Sequence, residues 1–206
     1  MTGITAPVTL LLIAITVGLS WFAFDRPRLI DRLLLWPPAV ARGQVDRLIT
    51  HGFVHADWQH LLFNMITLYF FGGLIERFFE PYIGRVGFAL FYLSAIVVAI
   101  LPTYLRHRAD PKYRSLGASG AVSAVLFAFI LLKPWAMIFV FFIPLPAILY
   151  AVLYTGYSVW MDRKGGDGIN HSAHLAGAAY GVLFALVMEP RIAGSFLQQL
   201  LHPSFG

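Results

Sequence analysis

The chain has 206 residues, 59% hydrophobic and 12% charged, with 18 Phe, 9 Tyr and 5 Trp. A soluble domain averages about 45–50% apolar and about 25% charged, so this balance argues against an ordinary soluble protein and predicts a polytopic membrane protein. Cysteine is absent, which excludes disulfides, thiolate catalysis and Cys-ligated metal, and the net charge of +5 includes no basic tract interleaved with aromatics, so it suits loops near anionic membrane lipid and not nucleic acid.

Met1 to Ala6 lacks a basic region, and no clear small-residue cleavage site follows the apolar run 7–24. The run therefore reads as a retained first span and not as a cleaved signal. The connection 25–58 holds "RPRLIDRLLLWPP", a basic and apolar mixture that suits a segment lying in the membrane interface. Further apolar segments follow at 59–79, 86–105, 116–132, 135–157 and 172–189. Backbone groups in lipid must be bonded within their own segment, so all six are expected to be helices. Short connections after the second and fourth predict antiparallel hairpins. Pro134, Pro144 and Pro146 predict a kink or a late start in the fifth. The expected fold is all-α: a six-helix membrane bundle forming one domain over 1–206, with no soluble domain.

The fourth segment is short. Sixteen residues from Gly117 to Leu132 make about 24 Å of helix, against a hydrocarbon core about 30 Å thick. If the Gly117 end is the one that stops inside the membrane, Ser119 is submerged.

Ionisable and polar groups are costly in a bilayer and mark sites. Three clusters stand out: His60 with Asn64, four apart on one helix face; Ser119; and His174. In a six-span chain the second, fourth and sixth spans run in the same direction. All three clusters lie in the first turns of those spans, so they share one depth and one side. Gly120, Ala124 and Ala128 form a small-residue stripe on the fourth span, and Gly177, Gly181 and Ala185 form another on the sixth. Such faces let membrane helices approach closely, which would bring His174 within reach of Ser119.

Singly, these residues read as packing, capping or interfacial groups. Together they supply what acyl transfer needs: a serine, a neutral imidazole base, and Asn and His donors for an oxyanion. Glu76 lies about four turns of helix from His60, and Asp162 and Asp167 are expected in a loop, so a Ser–His dyad is predicted and not a triad. A metal site is disfavoured. His51 and His55 are four apart and His171 and His174 three apart, but there is no His-Glu-x-x-His and no intramembrane carboxylate beside them.

The residues from about Arg47 to Ala185 resemble the rhomboid intramembrane serine proteases of the bacterial six-span type. The second span resembles the family pattern at Arg47, Thr50, His55, His60, Leu61, Asn64, Met65, Gly72, Gly73 and Glu76. The fourth carries Gly117-Ala118-Ser119-Gly120, like the nucleophile motif, and the sixth carries Ala173-His174 followed by Gly177 and Gly181. The resemblance implies Ser119 as nucleophile, His174 as base, and His60, Asn64 and the Ser119 N–H as the oxyanion hole. Gly117, Gly120, Gly177 and Gly181 would support the site. It implies transmembrane protein substrates, entry past the fifth span, a membrane-embedded loop at 25–58, and no cofactor or metal. Two positions depart from the pattern: Ser123 stands where the family often has a Tyr packed on the catalytic His, and Asp46 precedes Arg47 where a Trp is common.

Lys and Arg number 11 on the side of these clusters and 4 on the other. The positive-inside rule alone would turn the site to the cytoplasm. The resemblance implies a bacterial inner membrane with the site on the extracytoplasmic side, and the expectation follows it. Two alternatives stand beside the protease: an inactive rhomboid-like binder or chaperone, and a transporter, for which no intramembrane carboxylate pair is present.

Overall fold

A computed structural model describes residues 6–140 and 142–203 of the chain. It is predominantly helical. Helix α1 spans Pro7–Phe24 and starts on a proline, whose missing N–H costs nothing in a first turn. The connection that follows folds into short helices α2 (Pro27–Leu33), α3 (Pro37–Ala41) and α4 (Arg47–Thr50), then a 3₁₀ turn at His51–Phe53. Helix α5 (Trp58–Thr67) is capped by the Asp57 carboxylate, which accepts from the His60 N–H at 2.8 Å. It passes through a π turn at Leu68–Gly72 into α6 (Gly73–His107). Gly84, at φ 65° and ψ −178°, divides α6 in two. The Phe79 and Phe91 rings are 5.2 Å apart, whereas twelve residues of straight helix would separate them by about 18 Å. The chain therefore folds back at Gly84, as the predicted hairpin requires.

Helix α7 (Ser119–Leu132) is the centre of the bundle: every residue from Gly120 to Leu131 except Phe127 is buried. Helices α8 (Ala147–Lys164), α9 (His171–Met188) and α10 (Arg191–Leu201) complete the chain. Phe79, Phe88, Phe91 and Tyr92 form the aromatic part of the core, with Phe184 of α9 against Phe91 at 4.6 Å. Large apolar residues such as Leu11, Trp21, Phe70 and Val187 face outward.

One expectation is corrected. The front of the fifth segment is not helical: β1 (Met137–Val140) and β2 (Ile143–Pro146) pair antiparallel, Met137 opposite Pro146 and Val140 opposite Ile143. A helix cannot pass Pro144 and Pro146 without losing ladder bonds, and "MIFV" is rich in strand formers. The late start is thus found, with a hairpin in front of it. Against six apolar segments expected, three helical stretches among the described residues are, by length and composition alone, long and apolar enough to cross a membrane: Pro7–Phe24, Trp58–His107 and His171–Met188. The reasons are physical. The second and third segments run on as one stretch, α7 has only 14 residues, and α8 ends on Asp162, Arg163 and Lys164.

Candidate active site

The loop before α7 is built first, because it sets where Ser119 stands. Leu35 and Ser115 bridge antiparallel, with Leu35 N–H donating to the Ser115 carbonyl at 2.8 Å. Gly117 N–H donates to the His51 carbonyl at 2.8 Å. Gly117 has φ 117°, open only to glycine at low cost, and a Cβ there would strike the His60 ring. The chain turns there and α7 begins at Ser119 itself. The first N–H groups of a helix lack intrahelical acceptors and carry its positive dipole end. Ala118 N–H is satisfied by His55 Nε2 at 3.3 Å; those of Ser119, Gly120 and Ala121 have no acceptor within the helix.

Ser119 Oγ and His174 Nε2 are 2.7 Å apart. The small-residue faces cause this approach. A Cβ on Gly177 would collide with the Gly120 carbonyl oxygen, and one on Gly181 with that of Ala124. Only glycine lets α9 lie this close to α7, and His174 sits three residues before the first contact. Gly120 itself faces Ala99 of α6 and the Ala173 carbonyl.

A cavity of about 1080 Å³ opens over this pair and is lined by His60, Asn64, Ser119, Tyr150, Tyr154 and His174, among others. Asn64 Nδ2 donates one N–H to the His60 carbonyl at 2.9 Å, which leaves its second for the cavity. The three clusters singled out in the sequence, His60 with Asn64, Ser119 and His174, therefore line one cavity, while Gly177 and Gly181 lie in the contact of α9 with α7.

The carboxylates do not join them. Glu76 is buried and accepts from Val8 N–H (3.0 Å), Thr9 N–H (2.7 Å) and Thr9 Oγ (2.7 Å), capping the start of α1. Asp162, expected in a loop, lies in the last turn of α8 and pairs with Arg106 at 3.1 Å. Asp167 bonds His171 Nε2 at 2.9 Å, and that bond holds its carboxyl below the usual range. It contacts the neighbouring histidine and not His174.

Several supporting roles were not found from the sequence. His55 Nε2 accepts a backbone N–H, so its proton is on Nδ1, which donates to Ser20 Oγ of α1 at 3.0 Å; that hydroxyl donates to the Phe53 carbonyl at 3.2 Å. Burial pushes the His55 imidazole down to about 3 and that of His51 to about 4. Asn170 caps α9 through the Ala173 N–H (3.0 Å), accepts from Thr103 Oγ (2.8 Å) and donates to Ser115 Oγ (3.1 Å). Its position just before "HSAH" was the available signal, since Asn is a preferred N-cap. Arg47 is buried and ties the 25–58 segment together through the Asp31 and Leu34 carbonyls (2.6 and 2.8 Å) and Gln44 (2.7 Å).

The rhomboid domain family model matches residues 42–191. The RHOMBOID-like protein 12, mitochondrial, of Arabidopsis thaliana is 35% identical over 182 residues, covering 81% of this chain and 53% of that protein. The putative rhomboid protease YdcA of Bacillus subtilis strain 168 is 32% identical over 123 residues, 56% of this chain and 57% of that protein. The rhomboid protease GlpG of Salmonella paratyphi A is 29% identical over 159 residues, 75% of this chain and 52% of that protein. The chain thus spans a little over half the length of these relatives.

Proposed function

We propose that this chain, which belongs to the rhomboid family, is an intramembrane serine endopeptidase acting on transmembrane protein substrates through a Ser119–His174 dyad. Family membership and the apolar helices make it a membrane protein. The observation that carries the reading is the 2.7 Å approach of Ser119 Oγ to His174 Nε2 under an open cavity. Six spans are proposed: α1, α5 with α6 up to Gly84, the rest of α6, then α7, α8 and α9, forming one membrane domain.

In this mechanism Ser119 Oγ attacks the scissile carbonyl carbon while its proton passes to His174 Nε2. The negative charge on the carbonyl oxygen is met by the Ser119 N–H at the positive end of α7, with His60 and Asn64 as further donors. The C–N bond then breaks, and the imidazolium gives its proton to the leaving amine. Water attacks the acyl ester, again losing a proton to His174, and Ser119 is released. Gly117 keeps a side chain off the His60 ring, and Gly120, Gly177 and Gly181 permit the close helix packing that brings His174 to Ser119. Helix α8 is the proposed side of substrate entry. No cofactor takes part.

The test is cleavage of a transmembrane reporter by the purified chain, with covalent labelling by a fluorophosphonate. Wild type should cut and label; Ser119→Ala and His174→Ala should do neither. Equal cutting by either variant would refute the dyad, and reporter binding without cutting by wild type would point to an inactive binder. For placement we propose a bacterial inner membrane with the cavity on the extracytoplasmic side. A tag in 165–170 should then be open to protease in intact cells; protection would reverse the orientation.

A further inference from the structure

Ser123 leaves α7 without an aromatic ring beside the histidine, and the structure shows a ring arriving from another helix. Tyr154 of α8 lies over His174 with ring centroids 6.1 Å apart and planes 19° from parallel. That is offset-stacked geometry. Its hydroxyl is 3.0 Å from Ser123 Oγ, one helical turn after Ser119. Tyr150 stacks on the far side of Tyr154 at 5.4 Å and 24°. Three rings thus run along the cavity wall and end on the imidazole.

We propose that Tyr154 is the positioning residue for the His174 base, with Ser123 as its anchor on α7; this rests on the reading of Ser119 and His174 as the dyad. The His174 ring needs a fixed rotation to aim Nε2 at Ser119, and a flat ring on its face limits that rotation. Asp167 is engaged with His171 and does not bond His174. Ser123 is buried, so its hydroxyl needs a partner, and Tyr154 supplies one. The side chain that departs from the family pattern at 123 is therefore matched by the ring at 154.

A consequence follows from where the ring is mounted. Of the 18 residues of α8 only Ala147, Ala151, Ser158 and Met161 are buried, and Gly165, Gly166 and Gly168, all at positive φ, follow it. The base is held only while this lightly packed helix is seated against α7 and α9.

The test uses the purified full chain. The rate of labelling by a small fluorophosphonate reads the dyad without transmembrane substrate docking, and kcat and KM are measured on a transmembrane reporter. Tyr154→Leu should lower kcat and labelling together by about 10- to 100-fold, as a misaligned reacting group does, with KM changed little. Tyr154→Phe, which keeps the ring, should restore most of both. Ser123→Ala and Tyr154→Phe break one bond, so their double variant should be no slower than the slower single one. Should Tyr154→Leu fail to fold, Tyr154→Met makes the same comparison. Wild-type kcat and labelling in a folded ringless variant would overturn the proposal. So would a rise in KM with labelling unchanged, which would make Tyr154 a substrate contact. Failure of wild type to label, or labelling of Ser119→Ala, would instead bring down the dyad reading beneath it.

Discussion

Replacing Gly177 by Ala perturbs the site through backbone packing alone. The new Cβ would overlap the Gly120 carbonyl oxygen, with the Gly120 carbonyl carbon at 2.8 Å and its Cα at 3.2 Å. None of these is a flexible side-chain end, so the helices themselves must part. Ordinary carbon contacts lie near 3.5–4.0 Å, which requires a separation of about 1 Å. Overpacking of this kind costs about 1–3 kcal/mol, and α7 has little room to yield because it is buried on nearly all sides. The same movement carries His174 away from Ser119, lengthening 2.7 Å past the hydrogen-bonding range of about 3.2 Å. An error of about 1 Å at a reacting group costs on the order of 100-fold in rate. Thermal unfolding in detergent, fluorophosphonate labelling and reporter cleavage should all register the change. Gly181→Ala meets the Ala124 carbonyl in the same way but seven residues from His174, so it should lose similar stability and less rate. A Gly177→Ala protein with wild-type melting temperature and labelling rate would refute the reasoning that close approach of α7 and α9 sets the site.

Asn64→Ala should lower kcat by about 100- to 1000-fold, as loss of one oxyanion donor does elsewhere, with the melting temperature nearly unchanged; an unchanged rate removes Asn64 from the oxyanion site. Glu76→Gln replaces one of the oxygens that serve Val8 and Thr9 with a donor. It should cost about 1–3 kcal/mol, or roughly 2–10 °C, without slowing labelling of the folded protein; slower labelling would tie Glu76 to the chemistry. His55, held near 3 against about 6.5 unfolded, should make stability fall as pH drops from about 6.5 toward 3. The sign follows because the unfolded chain takes up a proton that the folded one refuses, so the contribution is fully present above the unfolded value. His51 adds to the same slope. His55→Gln should flatten the decline in melting temperature over that range, and an unaltered slope would show that His55 does not contribute.

The sequence was most informative where chemistry and period coincide. The first and last apolar segments, read at 7–24 and 172–189, are α1 and α9 to within a residue. The proximity of Ser119 and His174 was expected from span parity and from two small-residue stripes, and the contacts of Gly177 with Gly120 and of Gly181 with Ala124 run along those stripes. The front of the fifth segment was misread because a short apolar run has no period that separates strand from helix. The Tyr154 contact was hidden for a related reason. Helix α8 has no marked polar or apolar face, so nothing in its pattern fixes which side chain turns toward α9. Glu76 showed its position but not its partner, because the start of α1 lies 67 residues away.

Ser119 owes its placement to bonds from four residues in three separate parts of the chain. Leu35 holds Ser115, the His51 carbonyl holds Gly117, His55 holds Ala118, and Asn170 reaches back to Ser115 from the start of α9. The loop's own residues supply mainly backbone groups and a glycine conformation, which explains why the short motif around Ser119 says little by itself. These ties meet a physical need. In apolar surroundings an unpaired backbone group is expensive, so each tie removes a cost and fixes a coordinate at once. The N–H groups of Ser119, Gly120 and Ala121 fall outside this scheme because helix geometry gives them no acceptor. Their residues line the cavity, and in the proposed mechanism the Ser119 N–H would meet the oxyanion there. A rigid loop and unspent donors at the end of a buried helix form a preorganised half of a site. The other half, the orientation of His174, would on our proposal lean on Tyr154 and hence on α8, of whose 18 residues only four are buried. On the proposed mechanism the fixed elements would carry the nucleophile and the oxyanion donors, while the alignment of the base would depend on whether α8 is seated.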